Sequence, residues 1–285
     1  MTISPRPALT DAEIEAFSPA EKIGLITTVN PGGLPHITLI TSLMANGPDQ
    51  LTLGEFSRGK SKEHLAARPE AAFLVMTMDR RMWRGRAVWT HCRQEGPEYE
   101  RYNNIPMFRY NAYFGINTVH YLDLAEVTGP AKLPLGRLVA ASLLNRALAG
   151  RLAEKQPAPA LKPYAEKKIF NNLGTLKFLG WITPDGRPAL VPVLPTRAAD
   201  SGRLVLTSFP HGRELAAIPD GTAVAVFGLT LVMESVLVRG RLHRQKTGHG
   251  LTGLVVDIDW VYNSMPPCHG PIYPPQPLEP VRQFE

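Results

Sequence analysis

A chain of 285 residues, 44% of them hydrophobic, is long enough for two domains of ordinary size. No apolar run approaches the roughly 18 residues that span a bilayer, and Met1-Thr2-Ile3-Ser4-Pro5-Arg6 lacks the apolar core of a signal peptide. The expectation is a cytoplasmic protein with no membrane partner. The net charge of +6 is scattered, without helix-turn-helix or zinc-finger spacing, so small anionic ligands are expected before nucleic acid.

Thr10-Asp11-Ala12-Glu13 and Ser18-Pro19-Ala20-Glu21 both have capping-box spacing and predict short helices ahead of the first strand. Gly24–Val29 and Leu34–Leu43 are rich in Ile, Leu, Thr and Val and flank the turn residues Asn30-Pro31-Gly32-Gly33, which predicts a hairpin. Asn46-Gly47-Pro48-Asp49 turns the chain into a strand over Gln50–Leu53. Gly59–Ala67 reads as a short helix ended by Arg68-Pro69, because the residue before proline is pushed out of the α region. Strands follow at Glu70–Met78 and Trp83–Thr90. Gln94–Gly115, rich in Tyr and Phe, reads as a helix plus an ordered loop, and Thr118–Val127 as a closing strand. Leu138, Ala141, Leu144, Leu148 and Leu152 recur at helical spacing and predict an amphipathic helix over Leu135–Lys155. Gln156–Pro163 reads as a stiff, extended linker. From Met265 the prolines at 266, 267, 271, 274, 275, 277 and 280 predict an extended tail with no regular element, and Cys268, His269, Ile272 and Tyr273 predict that it packs along the barrel and borders the ligand groove.

The order of these elements occurs twice. Leu34-Pro35-His36 matches Arg187-Pro188-Ala189, and Leu51-Thr52-Leu53 matches Leu204-Val205-Leu206 at the same spacing. His64-Leu65-Ala66-Ala67-Arg68-Pro69 returns as Glu214-Leu215-Ala216-Ala217-Ile218-Pro219, and Arg84-Gly85-Arg86 as Arg239-Gly240-Arg241. Short strands joined by tight turns argue for small antiparallel barrels. The expected fold is mainly β, with two tandem barrels paired as a pseudo-dimer within one chain, either monomeric or further dimerised. The expected boundaries are 1–134 for the first copy, 135–163 for the helix and linker, 164–264 for the second copy and 265–285 for the tail. A groove between the copies is the natural place for a ligand.

The strongest local signal is Ser57-Arg58-Gly59-Lys60-Ser61-Lys62, which follows a strand and opens a helix. A helix N-terminus offers unpaired N–H groups and a partial positive charge, and so favours phosphate. Lys60 adds a full charge, Ser57 and Ser61 add donors, and Gly59 lets the backbone come close. The alternative is a solvated basic turn. Neither His91-Cys92 nor Cys268-His269 forms a credible metal site: neighbours on a strand point to opposite faces, and no further ligand cluster supports them. No Gly-x-Ser-x-Gly elbow marks a hydrolase nucleophile.

These pieces resemble the FMN-binding split-barrel proteins related to pyridoxamine 5′-phosphate oxidase. The resemblance rests on Leu51-Thr52-Leu53, Lys60-Ser61, Leu65-Ala66-Ala67-Arg68-Pro69, Ala71-Ala72-Phe73-Leu74-Val75 and Gly33-Leu34-Pro35-His36-Ile37-Thr38. It covers nearly all of the first half, and the second half through the repeat. It implies FMN as cofactor, with Lys60 on its phosphate. Ser61 replaces a second basic residue, a departure that Arg58 or Lys62 can offset. It further implies that His36, Thr38 and Thr41 lie on the segment lining the flavin, that Gly54 passes the ring, and that Glu55 points away. Pro210 and His211 occupy the matching loop of the second copy, where proline has no N–H to donate. One strong site per chain is therefore expected, completed by the second half through Ser235–Arg241 and Trp260-Val261-Tyr262. The implied function is a flavin-dependent oxidoreductase acting on an unidentified small molecule or redox partner. Two alternatives stay open: a non-catalytic flavin or electron carrier, and a haem protein using His120, His249 or His269.

Overall fold

In a computed structural model of the chain, the described residues are 4–56, 59–109, 111–154, 159–208, 211–248, 250–263 and 270–275. The fold is mainly β, with two antiparallel sheets and few helices. The chain divides into two compact units, one formed by residues up to Leu133 with Pro184–Leu190, the other by Pro134–Thr183 and the chain from Val191.

In the first unit, α1 (Asp11–Phe17) leads into β1 (Lys22–Val29), β2 (Pro35–Leu39), β3 (Met44–Ala45) and β4 (Gln50–Glu55). Then come α2 (Lys60–Ala67), β5 (Glu70–Thr77), β6 (Arg81–Arg93), α3 (Pro97–Asn103), a 3-10 turn at Pro106–Phe108 and β7 (Thr118–Lys132). The hydrogen-bonded order is β2-β1-β5-β6-β7-β4-β3. In the second unit, α4 (Leu135–Leu152) and a π-helical turn (Ala165–Phe170) precede β8 (Leu176–Ile182), β9 (Pro188–Pro192), β10 (Arg197–Asp200) and β11 (Arg203–Leu206). They are followed by α5 (Gly212–Ala216), β12 (Ala223–Leu229), β13 (Ser235–Lys246), β14 (Thr252–Asn263) and β15 (Gly270–Tyr273). Its order is β10-β11-β14-β13-β12-β8-β9, with β15 added on β14. Read from the other end and matched strand for strand, this is the order of the first sheet. The short sequence matches are thus traces of one topology used twice.

The repeat extends to backbone contacts. Ile40 N–H donates to Gly24 O (2.7 Å), and the matching Val193 N–H donates to Lys177 O (2.8 Å). Gly85 sits where a Cβ would come within 2.0 Å of Glu126 O, and Gly240 where a Cβ would come within 2.0 Å of Asp257 O. Both lie beside a register shift in the long hairpin of their sheet. A bulge brings the backbones this close, and only a residue without a side chain fits.

Each unit has its own apolar core. In the first, Ile26, Leu51, Leu53, Leu65, Phe73, Val75, Trp83, Leu122 and Val127 are buried together, and Phe17 of α1 meets Trp83 edge-on at 5.4 Å. Tyr102, Phe108, Ile116 and Tyr121 form a satellite cluster, which orders the aromatic stretch between β6 and β7. In the second, Leu148 and Leu152 of α4 pack on Val205 and Val255.

Four expectations need correction. Ser18–Glu21 forms no helix: Ser18 caps α1, Lys22 already starts β1, and too few residues remain between them for a turn of helix. The strand foreseen to Leu43 stops at Leu39, where the chain turns toward β3. Leu144 of the α4 stripe is exposed, and Asn145 is buried in its place, donating Nδ2–H to Pro195 O at 2.8 Å. The tail does form a regular element, since Gly270–Tyr273 pairs with Val261–Asn263 of β14. That stretch of β14 lies beyond the reach of β11, which pairs only with Leu254–Asp257. Proline is tolerated there because β15 is an edge strand. The rest of the tail, 264–269 and 276–285, lies outside the described residues. The π-helical turn at Ala165–Phe170 had no sequence signal.

Candidate functional site

The start of α2 gathers most of the expected site residues. Gly59 is its N-cap in extended conformation, and among the described residues no side chain caps the first turn. Lys60 is exposed and its Nζ lies 3.2 Å from Glu63 Oε2. Ser61 is fully buried, and its Oγ has no hydrogen-bond partner. Lys62 is half-buried. Burial pulls its pKa below the ordinary lysine value, and the negative charge of Glu55 opposes that pull. Ser57 and Arg58 lie outside the described residues.

Helix α2 packs on β1 and β2. His64 Nδ1 lies 3.0 Å from Thr28 Oγ1, and the His36 ring meets the His64 ring edge-on at 5.1 Å. His36 is therefore buried against α2. Thr28 and His36 face each other across β1 and β2, as do Ile26 and Thr38. Alternation along a strand puts His36 and Thr38 on one face, and Thr38 Oγ1 is buried without a partner. Thr41 is half-buried in the turn that follows. Gly54 differs from expectation. A Cβ there would lie 2.8 Å from Ile116 Cδ1, so that side of β4 is filled by Ile116. Its N–H and carbonyl are both bonded to Ser42 Oγ, at 3.0 and 2.9 Å.

Beside this segment lies a network that the sequence did not reveal. Glu55 is buried, and its Oε2 lies 2.6 Å from Nε2 of buried His120. Trp89 Nε1–H donates to His120 Nδ1 at 3.2 Å. An indole nitrogen can only donate, so Nδ1 is the acceptor. The Nε2 proton therefore points at the Glu55 carboxylate. Glu55 and His120 sit diagonally across β4 and β7, a relation set by register and invisible in linear spacing. Tyr102 reinforces the same region: its hydroxyl donates to Ser42 O at 2.7 Å and lies 2.9 Å from Thr52 Oγ1. Burial pushes the Tyr102 pKa upward.

The second unit differs at the corresponding helix. The N-cap of α5 is His211, whose Nδ1 lies 3.4 Å from Glu214, and Glu214 stands where α2 has His64. Pro210 lies outside the described residues. Trp260 lies on β14 opposite Arg239 of β13, whose guanidinium carbon is 3.8 Å from the Trp260 ring centre. A groove of about 440 Å³ on this unit is lined by Leu161, Ile169, Val236, Val261 and Ile272 of β15. Among the described residues no group of three or more His, Cys, Asp or Glu side chains could hold a metal ion. No described helix is long and apolar enough to cross a membrane.

No family model matches the chain, and no curated protein matches it. Solved structures do. An FMN-binding protein from Syntrophomonas wolfei subsp. wolfei is 18% identical, with 42% of this chain and 82% of that chain covered and a TM-score of 0.34. A candidate pyridoxamine 5′-phosphate oxidase from Lactobacillus delbrueckii is 17% identical over 45% of this chain and 100% of its own, with a TM-score of 0.36. An F420 reductase is 16% identical over 42% of this chain and 98% of its own, with a TM-score of 0.35. The chain is similar to each of these over a little less than half of its length.

Proposed function

We propose that the first unit binds FMN with the cofactor phosphate at the start of α2, and that the protein is a flavin-dependent oxidoreductase acting on a small molecule. The observation that carries this reading is the first turn of α2. Its N-cap is a glycine with no side chain to cap it, it holds a buried Ser61 Oγ without a partner, and it is flanked by Lys60 and the desolvated Lys62. An orphaned buried hydroxyl is costly, and an oxyanion at this place would accept its proton. The helix terminus and two ammonium groups favour the same charge.

FMN, when bound, supplies the electron-transfer chemistry; the protein supplies position and field. Lys60 exchanges its exposed contact with Glu63 for a stronger charge-assisted one. Lys62 is already desolvated and gains most from an anion. Glu55 is a negative charge close to this site. His120, itself held by Trp89, bonds its carboxylate and keeps it in place. His120 has both ring nitrogens engaged in that duty, which leaves neither free for haem iron without breaking the network.

The test is an absorbance spectrum of the purified protein, followed by a titration with FMN. Bands near ~370 and ~450 nm support the reading, whereas a Soret band near ~400 nm supports haem instead. No cofactor absorbance together with no FMN binding sinks it.

A further inference from the structure

The second unit holds an arginine whose surroundings differ from those of its neighbours. Arg203 pairs with Glu154 and Asp257, Arg244 with Asp220, and Arg241 donates to Gly221 O. Arg239 is half-buried, its side chain makes no hydrogen bond or ion pair among the described residues, and its Nε is buried without a partner. Burial pulls its pKa below the ordinary arginine value, and the field of Asp259 opposes this from outside ion-pair distance. A guanidinium stays charged, so a buried Nε–H without a partner costs free energy, while its terminal donors are left for water or a ligand.

Its position is nevertheless fixed. The guanidinium carbon of Arg239 lies 3.8 Å over the Trp260 ring centre, and Trp260 in turn stacks on Tyr262 with ring centres 5.2 Å apart and planes 8° from parallel. The register explains the stack. Leu237 pairs with Tyr262 and Arg239 with Trp260, then the ladder shifts so that Gly240 pairs with Ile258. Asp259 is the extra residue of that bulge, and a bulge re-aims the side chains beside it. Arg239, Trp260, Leu237 and Tyr262 share one face of the sheet, opposite to Val238 and Val261. Val261 lines the apolar groove, so that groove is not the place toward which Arg239 is directed.

We propose that Arg239, held on Trp260, is the anion-recognition residue of a second ligand site, one that takes a small molecule bearing a carboxylate or a phosphate. Stacking on an aromatic face orients the planar fork, and the fork matches both oxyanions through paired N–H bonds. Arg239 and Trp260 lie on segments that the resemblance assigns to the flavin site, so the proposal gives them a different ligand, and FMN is measured beside it.

The test uses the full chain without added flavin. Tryptophan fluorescence is titrated with benzoate, with phenyl phosphate, and with benzyl alcohol as the neutral control; whichever anion binds more tightly identifies the source. One or both anions should bind, benzyl alcohol should not, and W260F should lose the fluorescence response. R239Q should weaken anion binding about 10–150-fold, the loss expected for hydrogen bonds to a charged group. R239K keeps the charge but loses the fork, and should fall between the two; it decides the matter if R239Q does not fold. Equal affinity in R239K or R239Q and the parent chain, equal binding of benzyl alcohol, or no binding of either anion would overturn the proposal. FMN affinity is read separately from flavin fluorescence, so failure of one site does not pass for failure of the other.

Discussion

The starts of α2 and α5 occupy the same place in the same strand order, yet their chemistry is opposite. At α2 a glycine cap is followed by Lys60, Ser61 and Lys62. At α5 the cap is His211, which pairs with Glu214 of its own first turn, and the lysines are gone. The contacts that fix the fold do not differ in this way. The carbonyl at Gly24 and at Lys177 accepts the matching N–H in both units, and Gly85 and Gly240 meet a facing carbonyl at the same separation. Shape is set by close backbone approaches that both copies need. The two units differ instead at a helix start, where side chains can change without disturbing the sheet.

The largest effect should fall on what the two units share. In Gly85→Ala or Gly240→Ala the new Cβ would have to move away from a backbone carbonyl that cannot move far, because it belongs to the ladder. Overpacking of this kind costs about 3 kcal/mol, the upper part of its usual range. Urea unfolding of each variant should show comparable losses. A large loss in one and none in the other would break the equivalence of the two hairpins.

Next comes what the units do not share. Lys60→Ala and Lys62→Ala should each weaken FMN binding by about 1.5–3 kcal/mol, or ~10–150-fold, the value of a hydrogen bond to a charged group. His211→Ala should leave it unchanged. Flavin fluorescence titration checks this, and equal effects in both loops would mean that the site is not confined to the first unit.

How much of this was legible in the sequence follows from the range of each interaction. The repeat, the strands and α2 were readable because hydrophobic runs, turn residues and Arg68-Pro69 act within a few positions. The basic residues around α2 were readable for the same reason. The Glu55–His120–Trp89 network was not, because it joins three strands through register, and sequence spacing carries no register. Gly54 was placed beside the ring by the resemblance alone, while Ile116, which fills the space a Cβ would take there, lies far along the chain. The tail was read as docked on the barrel from residues such as Ile272 and Tyr273, but as irregular from its prolines. Its strand exists because β11 ends early and leaves an edge of β14 open, and no property of the tail itself reports that. The capping box at Thr10 was legible: the Glu13 carboxylate reaches back to the Thr10 N–H at 2.9 Å, and the Thr10 hydroxyl also donates to that carboxylate at 3.0 Å.

A third prediction concerns a buried lysine where the first unit has Gly24. Lys177 Nζ donates to Asn172 O at 2.8 Å and to Leu194 O at 3.2 Å, which ties β8 to the residues after the π-helical turn and to the loop after β9. Burial, helped by repulsion from Arg197, lowers its pKa to about 7 from 10.5. Between those values the unfolded chain binds a proton that the folded chain does not, so stability rises with pH. Below about pH 7 the penalty is fully present. The gain should be on the order of 2 kcal/mol between about pH 7 and 9, and Lys177→Met should flatten it. An unchanged slope in the variant would show that Lys177 keeps its proton when folded.

The smallest effect separates the helical turns that lead into the two sheets. Glu13 of α1 is buried, which alone would raise its pKa. Hydrogen bonds from Arg6, Thr10 and Trp83 outweigh that and hold it at about 2, below the ordinary 4.5. The folded pKa is depressed, so the stability it contributes is present above about pH 4.5 and is lost as pH falls toward 2. The loss between about pH 4.5 and 3 should be about 1–2 kcal/mol, and Glu13→Gln should remove that dependence. In the second unit the turn at Ala165–Phe170 holds no buried carboxylate among its described residues: Glu166 is half-buried. Acid should therefore loosen the first unit at α1 before it loosens the second. Amide exchange followed from neutral pH to about pH 3 should show protection of 11–17 falling earlier than that of 165–170. Loss in the reverse order would mean that the two helical turns are not distinguished by the Glu13 cluster, and that acid sensitivity arises elsewhere in the sheets.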